Sequence, residues 1–231
     1  MDRVITVSRE LDELEASLER RFRVTETRVD IGARSLVIRH PASAEELISE
    51  ADFERDERLP YWADIWPSAR VLAACLLEED GAQRSLGELG CGAGLVSAAA
   101  AVAGFDVVAT DYYDDALRFA RVNANRNAGR DIATRLLDWR DVPKDVGRFD
   151  CVVASDVLYE RSYGSLVAGL VARLLAPNGF ALIADPGRIS RDDFLRALEP
   201  LGLEATRRDV PFEDGPIRQT IALIRVDRRV A

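Results

Sequence analysis

Histidine is almost missing from this 231-residue chain, which carries it only at His40. The three cysteines, Cys75, Cys91 and Cys151, stand far apart and form no Cys-x-x-Cys pair. Metal sites of the zinc type need clustered His and Cys ligands, so no metal centre is expected. A sparse, odd set of thiols inside apolar stretches reads as buried and reduced, in a reducing compartment. Long apolar runs are missing as well. No segment approaches the ~18 uninterrupted apolar residues of a membrane-spanning helix. The first ten residues lack an apolar core and soon turn acidic, unlike a signal or transit peptide. Positive charge is in deficit: 31 Lys and Arg face 40 Asp and Glu, a formal net charge of −9. The basic field that tracks nucleic-acid phosphates is therefore lacking. No internal repeat or low-complexity segment appears. These absences leave a soluble, cytoplasmic protein with no membrane or nucleic-acid partner. At this length one domain with a modest extension is expected, with ample apolar content for a large core.

The N-terminal part starts with Leu11, Leu14, Leu18 and Phe22 at helical spacing, which predicts an amphipathic helix from Ser8 to about Arg21. Alternation then takes over at Val24, Val29 and Ile31, and again at Leu36 and Ile38, with Gly32 between, which predicts a hairpin. Ser43 and Glu46 form a capping box for a short helix through about Ser49. The acidic run from Glu50 to Arg58 reads as an exposed linker. His40, next to Pro41, reads as a surface or turn histidine.

Pro60 to Pro67 reads P-Y-W-A-D-I-W-P, with Tyr61, Trp62 and Trp66 bracketed by prolines. These aromatics either plug one end of the core or line a ligand mouth. Pro67 suits the first turn of a helix. From there strands and helices alternate: a strand ending near Leu89, a small-residue helix from Leu95 to about Ala103, a strand from Asp106 to Thr110, and a helix from about Asp114 to Asn125. Strands follow at Ile132–Leu137, Phe149–Ala154 and Phe180–Ala184, the last entered through an Asn178-Gly179 turn. Such alternation predicts parallel βαβ units with right-handed crossovers, an α/β doubly wound, three-layer fold. A helix near Arg191 to Leu198 then leads to an antiparallel hairpin, Leu203–Val210 and Ile217–Val226, that closes the sheet edge.

The stretch L-G-E-L-G-C-G-A-G from Leu86 to Gly94 turns a strand sharply into a helix through Gly90, Gly92 and Gly94. Such a turn lets a ligand approach backbone at a helix N-terminus. Ligands of open parallel sheets bind beyond the carboxyl ends of the strands. Acids stand at five of those ends: Glu88, Asp111, Asp138, Asp156 and Asp185. Any one of them alone is an ordinary helix cap; together they describe an acid-lined crevice. Glu88 repels a pyrophosphate and welcomes a cationic amino-acid moiety. The third glycine also arrives one residue early for a dinucleotide fingerprint, G-x-G-x-x-G. S-adenosylmethionine has the matching profile, with an ammonium, a sulfonium, a ribose and an adenine but no phosphate. Asp111 is placed for the ribose hydroxyls and Asp138 for the adenine amino group, with Trp139 or Tyr112 as a packing face. Cys91 fills a position that wants a small side chain and has no partner base for nucleophilic work.

E-L-G-C-G-A-G resembles motif I of the seven-β-strand, class I S-adenosylmethionine-dependent methyltransferases. The βαβ order and terminal hairpin are similar to that fold from about Trp66 onward. Asp156-Val157-Leu158-Tyr159 resembles the D-x-x-Y motif of its protein-lysine methyltransferase branch. P-Y-W-A-D-I-W-P and Asp185-Pro186-Gly187-Arg188 are similar to segments of the electron transfer flavoprotein β-subunit lysine methyltransferase group and its bacterial relatives. The resemblance implies a mostly parallel, seven-stranded, Rossmann-like sheet over residues 61–231. Residues 1–60 would be an N-terminal helix and hairpin extension covering the substrate side. It implies that Glu88, Gly90 and Gly92 hold the methionine end, Asp111 the ribose, and Asp138 and Trp139 the adenine, with Trp66, Cys91, Gly94, Tyr112 and Ser155 also against the cofactor. Asp156 and Tyr159 would be the catalytic pair, and with Tyr61 and Trp62 would form the acceptor pocket. The expected reaction is methyl transfer to an amine, a protein lysine before a small-molecule amine. A nicotinamide-dependent oxidoreductase on a similar sheet is the rival from another class. Arg188 either caps its turn or meets an acidic substrate surface.

Overall fold

A computed structural model describes residues 2–44, 47 and 60–229. Most of the expected capping-box helix at Ser43–Ser49, Glu46 included, and all of the linker 50–58 lie outside the described residues. The first helix, α1 (Asp2–Arg21), starts earlier than its apolar spacing suggested, since no glycine or proline opposes helix in its first turns. The predicted hairpin is present as β1 (Val24–Ile31) and β2 (Arg34–Pro41), paired in register from Val24↔Pro41 to Ile31↔Arg34. His40 belongs to β2 and is half-buried, not a surface turn residue. Its Nε2 lies 2.8 Å from Thr27 Oγ1 and its Nδ1 2.9 Å from Pro41 O, and burial lowers its pKa.

After a 3-10 turn at Tyr61–Ala63 the chain forms α2 (Pro67–Leu77), β3 (Ser85–Leu89), α3 (Leu95–Val102), β4 (Asp106–Asp111), α4 (Asp114–Ala128) and β5 (Ala133–Leu136). It continues through β6 (Phe149–Ser155), α5 (Tyr163–Leu174), β7 (Leu175–Asp185), α6 (Arg191–Leu198), β8 (Leu203–Asp214) and β9 (Ile217–Arg228). One sheet holds seven strands in the order β5-β4-β3-β6-β7-β9-β8. Its first five strands are parallel, and β9 and β8 add antiparallel. The order reverses at β3, so the crevice where ligands bind such sheets opens beside that strand.

Two strand boundaries differ from expectation. Strand β7 begins at Leu175, and Asn178-Gly179 lies inside it, because Leu175 already pairs with Phe149 before the register shifts to Cys151↔Phe180. A Cβ on Gly179 would stand 2.7 Å from Asp150 O, so the glycine answers a close strand approach, not a turn. The terminal hairpin is longer, running to Asp214 and Arg228. Pro211 does not end β8, because β8 is the sheet edge, where a missing N–H removes no necessary ladder bond.

Apolar layers cover both sheet faces. Leu72, Leu76, Leu86, Val96 and Phe105 pack on one side, and Leu89, Leu158, Val167, Val171 and Phe194 on the other. The N-terminal hairpin docks on α3 and α4. Val29, Leu36 and Ile38 bury themselves against Ala93, Leu95, Ala98 and Ala99, whose small side chains let the strand close in. Three such side chains contribute on the order of 5 kcal/mol. Half-exposed ion pairs such as Arg126–Glu26 add little beside that. Helix α1 packs through Leu18 on Phe119 and Val122.

Candidate active site

A cavity of about 530 Å³ opens at the carboxyl ends of the parallel strands, in the usual range of small-ligand sites, ~300–1,000 Å³. Strand β3 ends under it in the glycine turn. Gly94 is the N-cap of α3 at φ 85°, and a Cβ there would lie 2.4 Å from Ala120 Cα. Only glycine satisfies both the left-handed backbone and that approach of α3 to α4. A Cβ on Gly92 would stand 3.1 Å from Trp62 O, so the aromatic segment rests directly on the turn.

The turn spends its own N–H groups internally. Gly90 N and Cys91 N both donate to Thr110 O at 2.9 Å, and Gly92 N donates to Asp111 Oδ2 at 2.9 Å. Asp111 also accepts from Tyr113 N at 3.0 Å through Oδ1. Asp111 is 6% exposed, and desolvation raises its pKa despite those backbone donors. A phosphate cradle needs free donors or cations. Here the two guanidiniums lining the cavity, Arg140 and Arg188, are held by Asp138 and Asp156.

Glu88 lies beneath the turn and does not line the cavity. It is 1% exposed; Ser97 Oγ donates to its Oε2, and its Oε1 has no hydrogen-bond partner. Burial pushes its pKa up to about 8, with the charge of Asp111 acting in the same direction. A buried carboxyl without a cation is costly. Cys91 lines the cavity, but burial drives its pKa well above the usual thiol value, with Asp111 and Glu88 adding to the shift, so it is no nucleophile.

All the other expected site residues converge on this one cavity: Tyr61, Trp62 and Trp66 from the aromatic segment, Gly90, Gly92 and Gly94 from the turn, Asp111 and Tyr112 at the end of β4, Asp138 and Trp139 after β5, and Ser155, Asp156 and Tyr159 at and beyond the end of β6. Asp138 is chelated by Arg140, whose Nη2 stands 2.8 Å from its Oδ2. Trp139 meets Tyr163 edge-on at 5.4 Å. Of the acids at strand ends, Asp111, Asp138 and Asp156 line the crevice. Asp185 does not; it is fully buried and accepts from Gly187 N at 2.7 Å and Arg188 N at 3.1 Å. Desolvation raises its pKa.

Asp156 is 8% exposed and holds a left-handed backbone at φ 60°. Arg188 Nε donates to its Oδ1 at 2.5 Å, and Ser68 Oγ donates to its Oδ2 at 3.2 Å. The Arg188 guanidinium lies 5.4 Å from the Trp66 ring centroid. Arg188 thus does two things at once: its N–H closes the Asp185 turn and its side chain meets Asp156. Above this pair Tyr61 and Tyr159 stand 45% and 42% exposed, edge to face at 6.2 Å. Trp66 Nε1 donates to Tyr61 O at 3.0 Å and fixes the segment. The aromatics therefore form a mouth on one side. On the other, Trp62 packs on Phe22 and Phe119 at 6.2 and 5.9 Å and ties α1 to the cavity wall. All three aromatics line the cavity, and Trp62 also packs into the core. Among the described residues, none before Tyr61 lines the cavity. Ser68 and Tyr163 also reach the site; no motif marks them, since each is placed by a helix start.

A glycine turn under a cavity with paired arginines, an acid after β4 and a terminal antiparallel hairpin define the class: the fold of S-adenosylmethionine-dependent methyltransferases. Magnesium protoporphyrin IX methyltransferase from Synechocystis, solved with bound S-adenosylmethionine, shares it, with TM-score 0.58 at 19% identity over 79% of this chain and 94% of that one. The ribosomal protein L11 methylase from Lactobacillus delbrueckii gives 0.51 at 23% identity over 69% and 78%. The chain belongs to the lysine methyltransferase family, whose profile matches residues 51–200. It is 30% identical to the protein N-lysine methyltransferase METTL21A of Xenopus tropicalis over 197 residues, 80% of this chain and 88% of that one. It is 29% identical to the electron transfer flavoprotein β-subunit lysine methyltransferase of Danio rerio over 138 residues, 58% of this chain and 53% of that one. The chain's own atoms suit a ligand without phosphate: Asp111 lines the cavity beside the glycine turn, and among the described residues both guanidiniums that line the cavity are already paired with carboxylates. No helix among the described residues is long and apolar enough to cross a membrane.

Proposed function

We propose that this chain is a protein-lysine N-methyltransferase that uses S-adenosylmethionine. The observation that carries the reading is the placement of Asp156 and Tyr159 in the same cavity as the glycine turn, so that an amine threaded past the aromatic mouth meets the donor's site. Gly90, Cys91, Gly92 and Gly94 hold the methionine end, and Glu88 supports the turn from beneath without reaching the cavity. Asp111 and Tyr112 take the ribose, Asp138 and Trp139 the adenine, and Trp66 and Ser155 flank the bound molecule. When bound, the cofactor would supply a sulfonium methyl carbon for in-line attack by an uncharged amine, with the neutral thioether as leaving group and the methylated ammonium giving up its proton to solvent.

The chain's share of the catalysis is alignment and exclusion of water. Tyr61, Trp66 and Tyr159 desolvate the incoming side chain, which favours its neutral form over an ammonium whose ordinary pKa is ~10.4. Tyr159 packs on or hydrogen-bonds the amine, and Asp156 orients it. The −9 charge and the three free thiols support a protein, not a nucleic acid, as acceptor and a reducing, cytoplasmic setting. The test is incubation with radiolabelled S-adenosylmethionine and a lysate of the native host lacking the gene. A labelled protein band that yields methyl-lysine on hydrolysis supports the reading. Label confined to small molecules overturns it in favour of a small-molecule N-methyltransferase.

A further inference from the structure

The acceptor pocket contains a problem of charge. A bare carboxylate beside a lysine holds it as the unreactive ammonium. Asp156, however, is not bare. Its Oδ1 receives Arg188 Nε at 2.5 Å, its Oδ2 receives the buried Ser68 hydroxyl at 3.2 Å, and the carboxylate side chain is only 6% exposed. Arg188 is fixed from three directions. Its N–H is held by Asp185, its guanidinium by Asp156, and its guanidinium carbon stands over the Trp66 ring. Behind it, Arg191 Nη1 faces Asp185 at 3.8 Å, which gives a second acid its own guanidinium. The other charged groups in the same cavity are Asp64, Asp111, Asp138, Arg140 and Glu160, with Tyr159 and Tyr163 as neutral walls. Of these, Asp138 is matched by Arg140, and burial raises the pKa of Asp64.

We propose that Arg188 is the counter-charge of the acceptor pocket: a positioning residue that pairs with Asp156 so that the pocket admits the neutral amine instead of trapping the ammonium. This deepens the lysine methyltransferase reading and rests on it for the identity of the acceptor. Asp156 keeps its directional oxygens for orienting the amine, while the guanidinium cancels its charge. Trp66 links the two halves of the cavity, since the same ring supports Arg188 and borders the donor side.

The experiment uses Arg188→Met and Arg188→Lys in the full chain, saturated with S-adenosylhomocysteine, and n-butylammonium as the amine probe in titration calorimetry. The wild type should bind the probe weakly at pH 7.5 and more tightly as the pH approaches the amine's own pKa. Arg188→Met should bind it about tenfold more tightly at pH 7.5, as expected for an exposed opposite charge. Arg188→Lys should behave like the wild type. Asp156→Asn combined with Arg188→Met should abolish the gain. No gain in Arg188→Met, or the same gain in Arg188→Lys, overturns the proposal. In methyl transfer to the labelled lysate protein, the acid limb of the Arg188→Met pH profile should move up by about one unit, whereas a purely structural lesion lowers the profile in parallel. If the wild type labels no protein, the lysine reading falls, and the butylammonium comparison still decides the role of Arg188.

Discussion

Asn123 is wholly buried in α4, and its side-chain nitrogen donates to Ala93 O in the glycine turn at 2.7 Å. The same amide group donates to Arg39 O and accepts from Arg39 N in β2, both at 2.8 Å. One side chain thus joins the N-terminal hairpin, a crossover helix and the turn that borders the cavity. Asn123→Ala leaves one buried and two part-buried backbone groups without this partner, at a cost of up to ~1–3 kcal/mol for the buried one and less for the others. The expected loss is about 3 kcal/mol in urea unfolding. Asn123→Asp should be no better, because it cannot donate to the two carbonyls.

Asp111 clamps Gly92 and Tyr113 and lines the cavity, where the proposed function gives it the ribose. Asp111→Asn should weaken S-adenosylhomocysteine binding about 10- to 100-fold in calorimetry, the range for losing a charged hydrogen-bond partner. Unchanged affinity would remove Asp111 from the binding site.

Glu88 makes stability depend on pH in an identifiable direction. Its pKa is raised from 4.5 to about 8 by burial. The folded protein therefore keeps a proton that the unfolded chain gives up. Between those two values the native state binds more protons, so stability falls as pH rises. The contribution is complete below the unfolded pKa and lost by the folded one. Glu88→Gln should flatten that part of the profile and be the more stable of the two above about pH 8, as read by urea unfolding of the cofactor-free chain at a series of pH values.

Gly94→Ala should be among the most damaging small substitutions in the chain. Its Cβ would meet Ala120 Cα at 2.4 Å from a backbone at φ 85°. Backbone cannot step aside as a side chain can, so α3 and α4 must separate. A loss of more than about 3 kcal/mol is expected by thermal unfolding. Gly129→Ala is the control: it has positive φ with nothing within 4 Å, and should cost only about 1 kcal/mol.

The parallel core was legible because hydrophobic runs, glycine turns and strand-end acids are local signals. Leu86–Gly94 announced both its strand and its turn. Contacts between distant segments left weaker traces. Nothing around Ser68 hints that its hydroxyl reaches Asp156, and nothing near Glu88 says that the carboxyl is roofed over by the turn instead of facing the ligand. Asn178-Gly179 misled because the same dipeptide that makes turns also permits two strands to crowd. The docking of β2 was invisible for a related reason: Asn123 and Asn127 look like ordinary helix-surface amides until the hairpin lies on them.

The left-handed backbone at Asp156 has a consequence for reading substitutions there. At φ 60° only glycine and, less readily, asparagine or aspartate sit without appreciable strain. In a library covering every residue type at this position, loss of growth or signal will therefore mix two causes for most members, chemistry and chain geometry. Asparagine and glycine alone separate them, the first keeping shape without charge, the second keeping geometry without a side chain. An alanine scan would assign the whole defect to catalysis and mistake part of a folding cost for a chemical role.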